Sequence, residues 1–504
     1  MAFLDIFRAK KKARPERRSL ASLVNSKMRQ SWILGASDPN AVGTNARIIR
    51  QMARDLEETN AYAIAFLRDF RMNVVGPEGV KFQSRVSKPR GAPDIAARKA
   101  VETAYDAWKK DCCVTGDMTY AEASGMIANS YARDGQIFVR HVRGWENKFG
   151  YAIQLIDADL LADTVNQSAT SGVNAQPRIV NGKELDEWDR VVAIHFYRDH
   201  PDAMYRKSGI NEIRRVPIAD LIDYYVHSRV GRFSGMSLLR GAVEYLKQLK
   251  DFESAELVAA KVSACAFASI EKAAGAVEEE TTDFSGSGKT LNIEPGTVWD
   301  SLPAGWAVKY HKSEHPNSNI EGFRKSVLRG VAAAVGSTYN TLAHDLEGVN
   351  YSSLREGRLL QNDTWKAAQA NHIRCVEEPI FREWLRSALL SGAIPGYTIV
   401  DYDYLSEAVW QGRRWAWVDP AKDANATMTQ LNNKLTTVRQ VLAERDGVDL
   451  DDFLAELSAE RKLFETLGIE HPSDTDATGN APDTEDAAEA QVMEPEDPPQ
   501  TGTE

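Results

Sequence analysis

Apolar residues recur every three or four positions through the first 130 residues of the chain, after which the period shortens to two. Ile48, Met52 and Leu56 share one face of a helix beginning near Thr44, and Asn60 stands where a cap would start a second helix carrying Ile64, Leu67 and Phe70 until Gly76-Pro77 stops it. Pro93, read as a first-turn proline, opens a third helix with Ile95, Val101, Tyr105 and Trp108, and Tyr120 to Ala132 forms a fourth, closed by Asp134-Gly135. Gln136 to Val142 then alternates, and Tyr151 to Ile156 and Val191 to Tyr197 are short runs between turn residues. Residues 40 to 230 thus predict a mixed α+β domain.

After Gly235 the pattern becomes helical again, with Leu239, Val243, Leu246, Leu249 and Leu257 at helical spacing up to about Glu271, as one long helix or two. Residues 272 to 316 are rich in Gly, Pro, Thr and Ser with short β-prone pieces, and helix resumes from Ile320 through Ala334 with Phe323, Val327 and Val331. The order is long helix, small β-rich insert, helix. Further helical stretches follow at Leu354 to about Leu390, Lys422 to Glu444 and Leu450 to Leu467.

Charge changes this picture at the ends. Residues 1–30 hold nine Lys/Arg against two Asp/Glu, and residues 472–504 hold ten Asp/Glu and no Lys/Arg, so of the net charge of −11 about −8 falls on the remainder. Both ends are too polar to pack and are expected to be disordered, and the mild acidity of the rest excludes a strongly basic nucleic-acid binder. Over its 504 residues the chain has no apolar run long enough for a helical span and no leader pattern at its start, which argues against secretion and membrane insertion. Cys112, Cys113, Cys265 and Cys375 are too sparse for a disulfide framework and include no C-x-x-C pair, which points to a reducing cytoplasm.

Candidate chemistry is thin. Gly286-Ser-Gly-Lys289-Thr290 ends like a P-loop, but Asp283 stands where its first glycine belongs, an acidic run precedes it and Pro295 follows too soon for a helix. Asp157, Asp159 and Asp163 cluster after a strand, where two-metal chemistry finds its carboxylates, but a strand exit followed by helix capping is the simpler explanation. His311-Lys-Ser-Glu314-His315 spells an inverted zinc-protease motif in a segment that Pro316 keeps from being helical. Trp306, Trp365, Trp384, Trp410, Trp415 and Trp417 could stack on bases, but such spacing belongs to a core or a subunit interface. No catalytic, cofactor or metal site is expected.

Several strings together resemble the portal proteins of lambda-type tailed bacteriophages. They are Asn60-Ala-Tyr62, Asn73-Val-Val-Gly76, Val216-Pro217, Val226-His227, Arg232-Phe-Ser-Gly-Met-Ser-Leu-Leu239, Glu294-Pro-Gly296, Leu302-Pro-Ala-Gly305, the helix Arg324 to Gly336 and Val418-Asp-Pro-Ala-Lys422. The most specific is Asn350-Tyr351-Ser352-Ser353-Leu-Arg355, and the similarity runs over about residues 30 to 470. His227-Ser-Arg and Arg229-Val-Gly-Arg232 depart from the family's usual His-x-Phe and Arg-Pro-Gly-Gln segments.

The resemblance implies a portal fold of α+β wing, helical stem, small α/β clip and helical crown, assembled as a ring, typically a dodecamer, at one capsid vertex of the virion after assembly in the host cytoplasm. On that plan the chain divides into a basic N-terminus (1–30), wing (31–235), stem helix (236–262), clip (263–315), second stem helix (316–336), channel loop (337–350), returning wing and crown helices (351–471) and acidic tail (472–504). Double-stranded DNA would pass through the ring without sequence readout. The terminase large subunit, the major capsid and scaffold proteins and the head-completion (connector) proteins would be its partners, with no membrane involved.

Two surfaces are expected to matter. The channel loop, with His344, Asp345, Glu347 and Asn350 and no Lys or Arg, is expected to lack regular structure and to face DNA, with His344 its only member to gain charge as pH falls. Glu278, Glu279, Glu280 and Asp283 in the clip would steer the motor. The rival readings are a metal-dependent nuclease or ATPase using Asp157, Asp159 and Asp163 or Lys289, and a monomeric minor head scaffold.

Overall fold

Asn60 acts as the cap its position suggests: in the computed structural model its Oδ1 accepts from the amides of Tyr62 at 3.0 Å and Ala63 at 3.2 Å. It separates α1 (Gly43–Thr59) from α2 (Ala61–Val74). The structure describes residues 40, 43–88, 94–170, 176–205, 212–264, 268–272, 306–310, 320–348, 350–415, 420–445 and 450–469. They fall into two units, residues 1–413 and 414–504.

In the first unit the chain continues through β1 (Lys81–Ser84), α3 (Ile95–Trp108), α4 (Tyr120–Asp134), β2 (Gln136–Arg143) and β3 (Tyr151–Ile156). Asp94, not Pro93, sets the start of α3, since its carboxylate accepts from the Ala97 amide at 3.2 Å. Four short strands, β4 (Arg178–Val180), β5 (Lys183–Leu185), β6 (Val191–Tyr197) and β7 (Ile213–Pro217), form an antiparallel sheet in that order, and β8 (Leu221–Tyr225) joins β2 and β3 in the order β3-β2-β8.

A 3₁₀ turn at Leu238–Gly241 leads into α5 (Val243–Ala264), and β9 (Ala268–Lys272) pairs antiparallel with β10 (Trp306–Tyr310) before α6 (Ile320–Val335). The helix, β insert, helix order is therefore present. α5 is shorter than the 30-odd residues the pattern allowed: its 22 residues span about 33 Å at roughly 1.5 Å each. After the short α7 (Tyr339–Ala343) come α8 (Tyr351–His372), one π turn at Ile373–Glu377 and α9 (Glu378–Leu390), so the expected single helix is continuous but underwound in the middle.

The chain then returns to its beginning. After α10 (Tyr402–Leu405), β11 (Ala408–Gln411) pairs antiparallel with β1, and α9 lies against β2 and β3. The core is accordingly made from both parts: Tyr105, Trp108 and Tyr151 pack with Phe381 and Trp384, with the Tyr105 and Trp384 ring centroids 4.8 Å apart. Trp384 and Trp365 are buried and Trp410 packs on Phe82, the place a core reading gives these rings rather than one on a base-stacking surface. The α+β class follows from this arrangement. In the second unit, α11 (Pro420–Asn432), α12 (Val438–Arg445) and α13 (Leu450–Leu467) follow one another, with Arg439 3.4 Å from Asp451 between the last two.

Candidate functional site

The carboxylate cluster after β3 is occupied by arginines. Along one face of α1, Arg47 Nη2 lies 3.1 Å from Asp163, Arg50 Nη1 2.5 Å from Asp159, and Arg54 reaches Asp159, Asp157 and Asp134 at 2.7, 2.8 and 2.9 Å. Asp157 also caps the 3₁₀ turn that follows β3 by accepting from the Asp159 amide at 2.8 Å. With their lone pairs directed at guanidinium groups, these carboxylates form a structural clamp; the capping reading describes Asp157, and Asp159 and Asp163 are ion-paired instead. Burial raises the pKa of Asp159, but Arg50 and Arg54 outweigh it and hold the group below the usual carboxylate range. Asp163 goes the other way because burial outweighs Arg47. The signal that could have found this clamp is the i, i+3, i+7 spacing of Arg47, Arg50 and Arg54.

Segment 337–350 contradicts the expectation that it lacks regular structure. Gly336 ends α6 with φ +72, Thr338 then caps α7 by accepting from the Thr341 amide at 3.3 Å, and Gln361 of α8 bridges Thr341 and Ser337 at 2.9 and 3.1 Å. Local side-chain caps thus supply the backbone partners for one further helical turn. His344 follows at φ +50, and its Nε2 accepts from Arg68 of α2 at 3.0 Å, so that ring nitrogen is already engaged by a cation.

Asp345 accepts from the Tyr339 hydroxyl at 2.7 Å and the Glu347 amide at 3.0 Å. Those two bonds, followed by Lys325 and Arg324 of α6, keep its carboxyl below the ordinary range. Asn350 caps α8 through the Ser353 amide at 2.8 Å. Asp345, Glu347 and Asn350 meet Lys325, Arg329 and Tyr339 around an open pocket of about 260 Å³. The loop itself carries no Lys or Arg, as expected, but cations of α6 stand beside its carboxylates. Three of the four loop residues come together, and His344 turns away to α2.

Arg355 lies on the second turn of α8, behind the capped end. Glu278, Glu279, Glu280 and Asp283 lie outside the described residues, as do Lys289 and the His311 to His315 string. Among the described residues no group of three or more His, Cys, Asp or Glu is placed to hold a metal ion, and no helix is long and apolar enough to cross a membrane.

A polar cluster that sequence reasoning missed sits at the π turn. Glu377 and His372, both without exposed side-chain surface, are 3.3 Å apart, and Glu377 accepts from the hydroxyls of Tyr120 and Ser124 of α4 at 2.7 Å each. It pins the long α8–α9 segment to α4.

α5 and α6 touch through Phe252 and Phe323, whose ring centroids are 4.7 Å apart. α5 also carries large apolar residues that are exposed among the described residues: Tyr245, Leu257 and Val258 are 49%, 57% and 59% exposed.

Comparison with known proteins comes to one family. Residues 25–369 match the model described as phage portal protein, lambda family. A probable portal protein of Halomonas phage phiHAP-1 is 32% identical over 432 residues, covering 84% of this chain and 82% of the relative. Among solved structures, the neck of an empty gene transfer agent particle aligns with TM-score 0.43 at 10% identity over 80% of this chain and 94% of that one. An HK97-family phage portal protein from Corynebacterium diphtheriae aligns with TM-score 0.30 at 13% identity over 74% and 96%.

Proposed function

Because the chain belongs to the lambda family of phage portal proteins, non-enzymatic structural components of the virion at the capsid neck, we propose that it forms a ring of identical subunits, a dodecamer, through which duplex DNA is packaged and ejected. In this reading residues 31–235 form the wing, α5 and α6 the stem, residues 263–315 the clip, residues 337–350 the channel loop and residues 351–471 the returning wing and crown helices. The rival monomeric scaffold and the enzyme readings are left without a supporting observation.

The observation that supports the ring is the apolar surface that α5 leaves exposed. Tyr245, Leu257 and Val258 lie on different sides of the helix, and repeated heterologous contacts with a copy on each side would remove them from solvent. The acidic residues 472–504, too polar to bury apolar surface, are expected to be dispensable for it.

The channel loop supports the conduit reading through its chemistry. Asp345 and Glu347 repel phosphate while Lys325 and Arg329 behind them limit that repulsion to short range, an arrangement that guides a duplex without holding it. The clip carboxylates Glu278, Glu279, Glu280 and Asp283 are assigned to steering the terminase large subunit or the connector proteins. Negative-stain microscopy and mass photometry of the purified chain, alone and with its capsid and scaffold proteins, test the ring. Hollow particles of one size are expected, and monomers alone under every condition would overturn the reading.

A further inference from the structure

Outside the clamp and the loop, one pair of reactive groups has no role in any of the foregoing. Cys112 and Cys113 are adjacent in sequence, follow the end of α3, and their Sγ atoms lie 3.5 Å apart with 0% and 4% residue exposure. We propose that they form a reversible oxidation site, at which a small hydroperoxide converts the two thiols into a vicinal disulfide.

Exposure gives the two sulfurs different parts, since Cys113 keeps 4% of its surface within reach of a small oxidant and Cys112 keeps none. Cys112 and Cys113 share one S–H···S contact, which favours the thiolate on Cys113 and the thiol on Cys112: that contact lowers the pKa of Cys113 and is the largest cause of the rise at Cys112, with burial next. The Cys113 thiolate attacks one peroxide oxygen, the O–O bond breaks, and the departing hydroxide leaves as water after taking a proton, giving a sulfenic acid on Cys113. Cys112 Sγ then loses its proton and attacks Cys113 Sγ; the S–O bond breaks and the hydroxyl departs as a second water. Two thiols have lost two electrons and two hydrogens, and one hydroperoxide molecule has been reduced. Burial selects a small oxidant, since a bulky disulfide such as oxidised glutathione cannot reach sulfurs this deep.

Reversibility follows from adjacency. Neighbouring α-carbons sit about 3.8 Å apart across a trans peptide, closer than the roughly 4.4–6.8 Å of ordinary disulfides, so the bridge is strained and easily reduced. Closure also acts on the sheet: the Cys112 carbonyl accepts from the Ile153 amide at 2.8 Å and the Val114 amide donates to Ile153 at 3.0 Å, so turning the peptide between the cysteines pulls on both bonds to β3.

Trypsin cuts after Lys110 and Arg133, so one peptide, 111–133, contains both cysteines and neither Cys265 nor Cys375. The full chain is treated with hydrogen peroxide, then denatured, alkylated and digested. The expected product is this peptide lighter by two hydrogens and unalkylated, restored to the doubly alkylated form by dithiothreitol, with faster amide exchange at Val114 and Ile153 before reduction. A peptide that stays fully alkylatable, or that carries Cys113 sulfinate with no disulfide, overturns the proposal. In Cys112→Ser the sulfenic acid should persist and react with dimedone, and in Cys113→Ser peroxide consumption should slow roughly tenfold; equal rates in the two variants would overturn the assignment of parts. If either variant fails to fold, the unmodified chain still decides.

Discussion

Gly135 and Gly235 lie backbone against backbone. A β-carbon on Gly235 would overlap the Gly135 carbonyl oxygen, and one on Gly135, itself at φ +80 as the cap of α4, would overlap the backbone of Met236. The contact brings the end of the fourth helix against the segment that leads into α5, and only residues without side chains permit it.

Gly235→Ala should therefore cost on the order of 3 kcal/mol, because backbone rather than a flexible side chain must give way. Gly144→Ala provides the comparison: at φ +72 with nothing near its β-carbon it should cost only about 1 kcal/mol. Urea unfolding midpoints of the two variants check the difference, and equal midpoints would refute the close approach.

Removing one partner of the clamp between α1 and the turn after β3 should be expensive. Arg50→Met leaves Asp159, 6% exposed, with Arg54 as its remaining guanidinium partner and one short charged hydrogen bond lost, for a loss of about 2 kcal/mol. The acid dependence has a defined sign. Asp159 is depressed in the fold, so its contribution is complete above about pH 4 and is lost as pH falls through the lower folded value. Asp163, raised by burial, regains some stability on protonation over the interval just above pH 4. Asp159→Asn should accordingly flatten the acid limb of the stability curve and Asp163→Asn should steepen it, as read from unfolding midpoints between pH 3 and 6.

His141, buried on β2 with its Nδ1 2.6 Å from the Tyr151 hydroxyl, is pushed down to about 4 by burial. The unfolded chain takes up its proton near pH 6.5 and the folded chain does not, so stability is full above that value and declines as pH falls toward 4, by about 3 kcal/mol in all. His141→Gln keeps an acceptor for Tyr151 and should remove this slope. A variant with the same slope from pH 4 to 7 as the parent chain would show that another group titrates.

At the loop, Asp345→Lys with Glu347→Lys should leave assembly intact and impede DNA packaging, with the defect eased by added salt. Packaging assays at two salt concentrations read it, and unimpaired packaging at low salt would place the loop away from DNA.

Neutralising Glu278, Glu279, Glu280 and Asp283 together, as Gln and Asn, should slow association with the terminase large subunit and weaken its salt dependence. Stopped-flow association at low and high salt is the measurement, with an unchanged rate in both counting against a steering role.

What the sequence disclosed follows the range of the interactions involved. α1, α2 and α4 were legible because the cap, the apolar stripe and the stop lie within a few residues of one another, as at Asn60 and at Asp134-Gly135. The four-residue strands β1 and β11 were not, since Phe82 and Trp410 have no local pattern and become a strand pair only by meeting each other. The π turn was hidden for the same reason: His372 and Glu377 read as ordinary helix positions until Ser124 and Tyr120 are placed against them. In the loop, composition showed Asp345 and Glu347 but not Lys325 and Arg329, which approach from another helix.

The return of β11 to β1 also sets when this chain can fold. As it leaves the ribosome, α3 and α4 emerge with Tyr105 and Trp108 lacking the rings of Phe381 and Trp384, which are translated only after the whole β9–β10 excursion. At roughly 5–20 residues per second that gap lasts on the order of tens of seconds, during which a large aromatic surface is open to chaperones or to another nascent copy. Synthesis must therefore run through Gln411 before the core around Tyr105 and Trp108 can close, and a chain truncated before that point would be a client for degradation rather than a smaller version of the subunit.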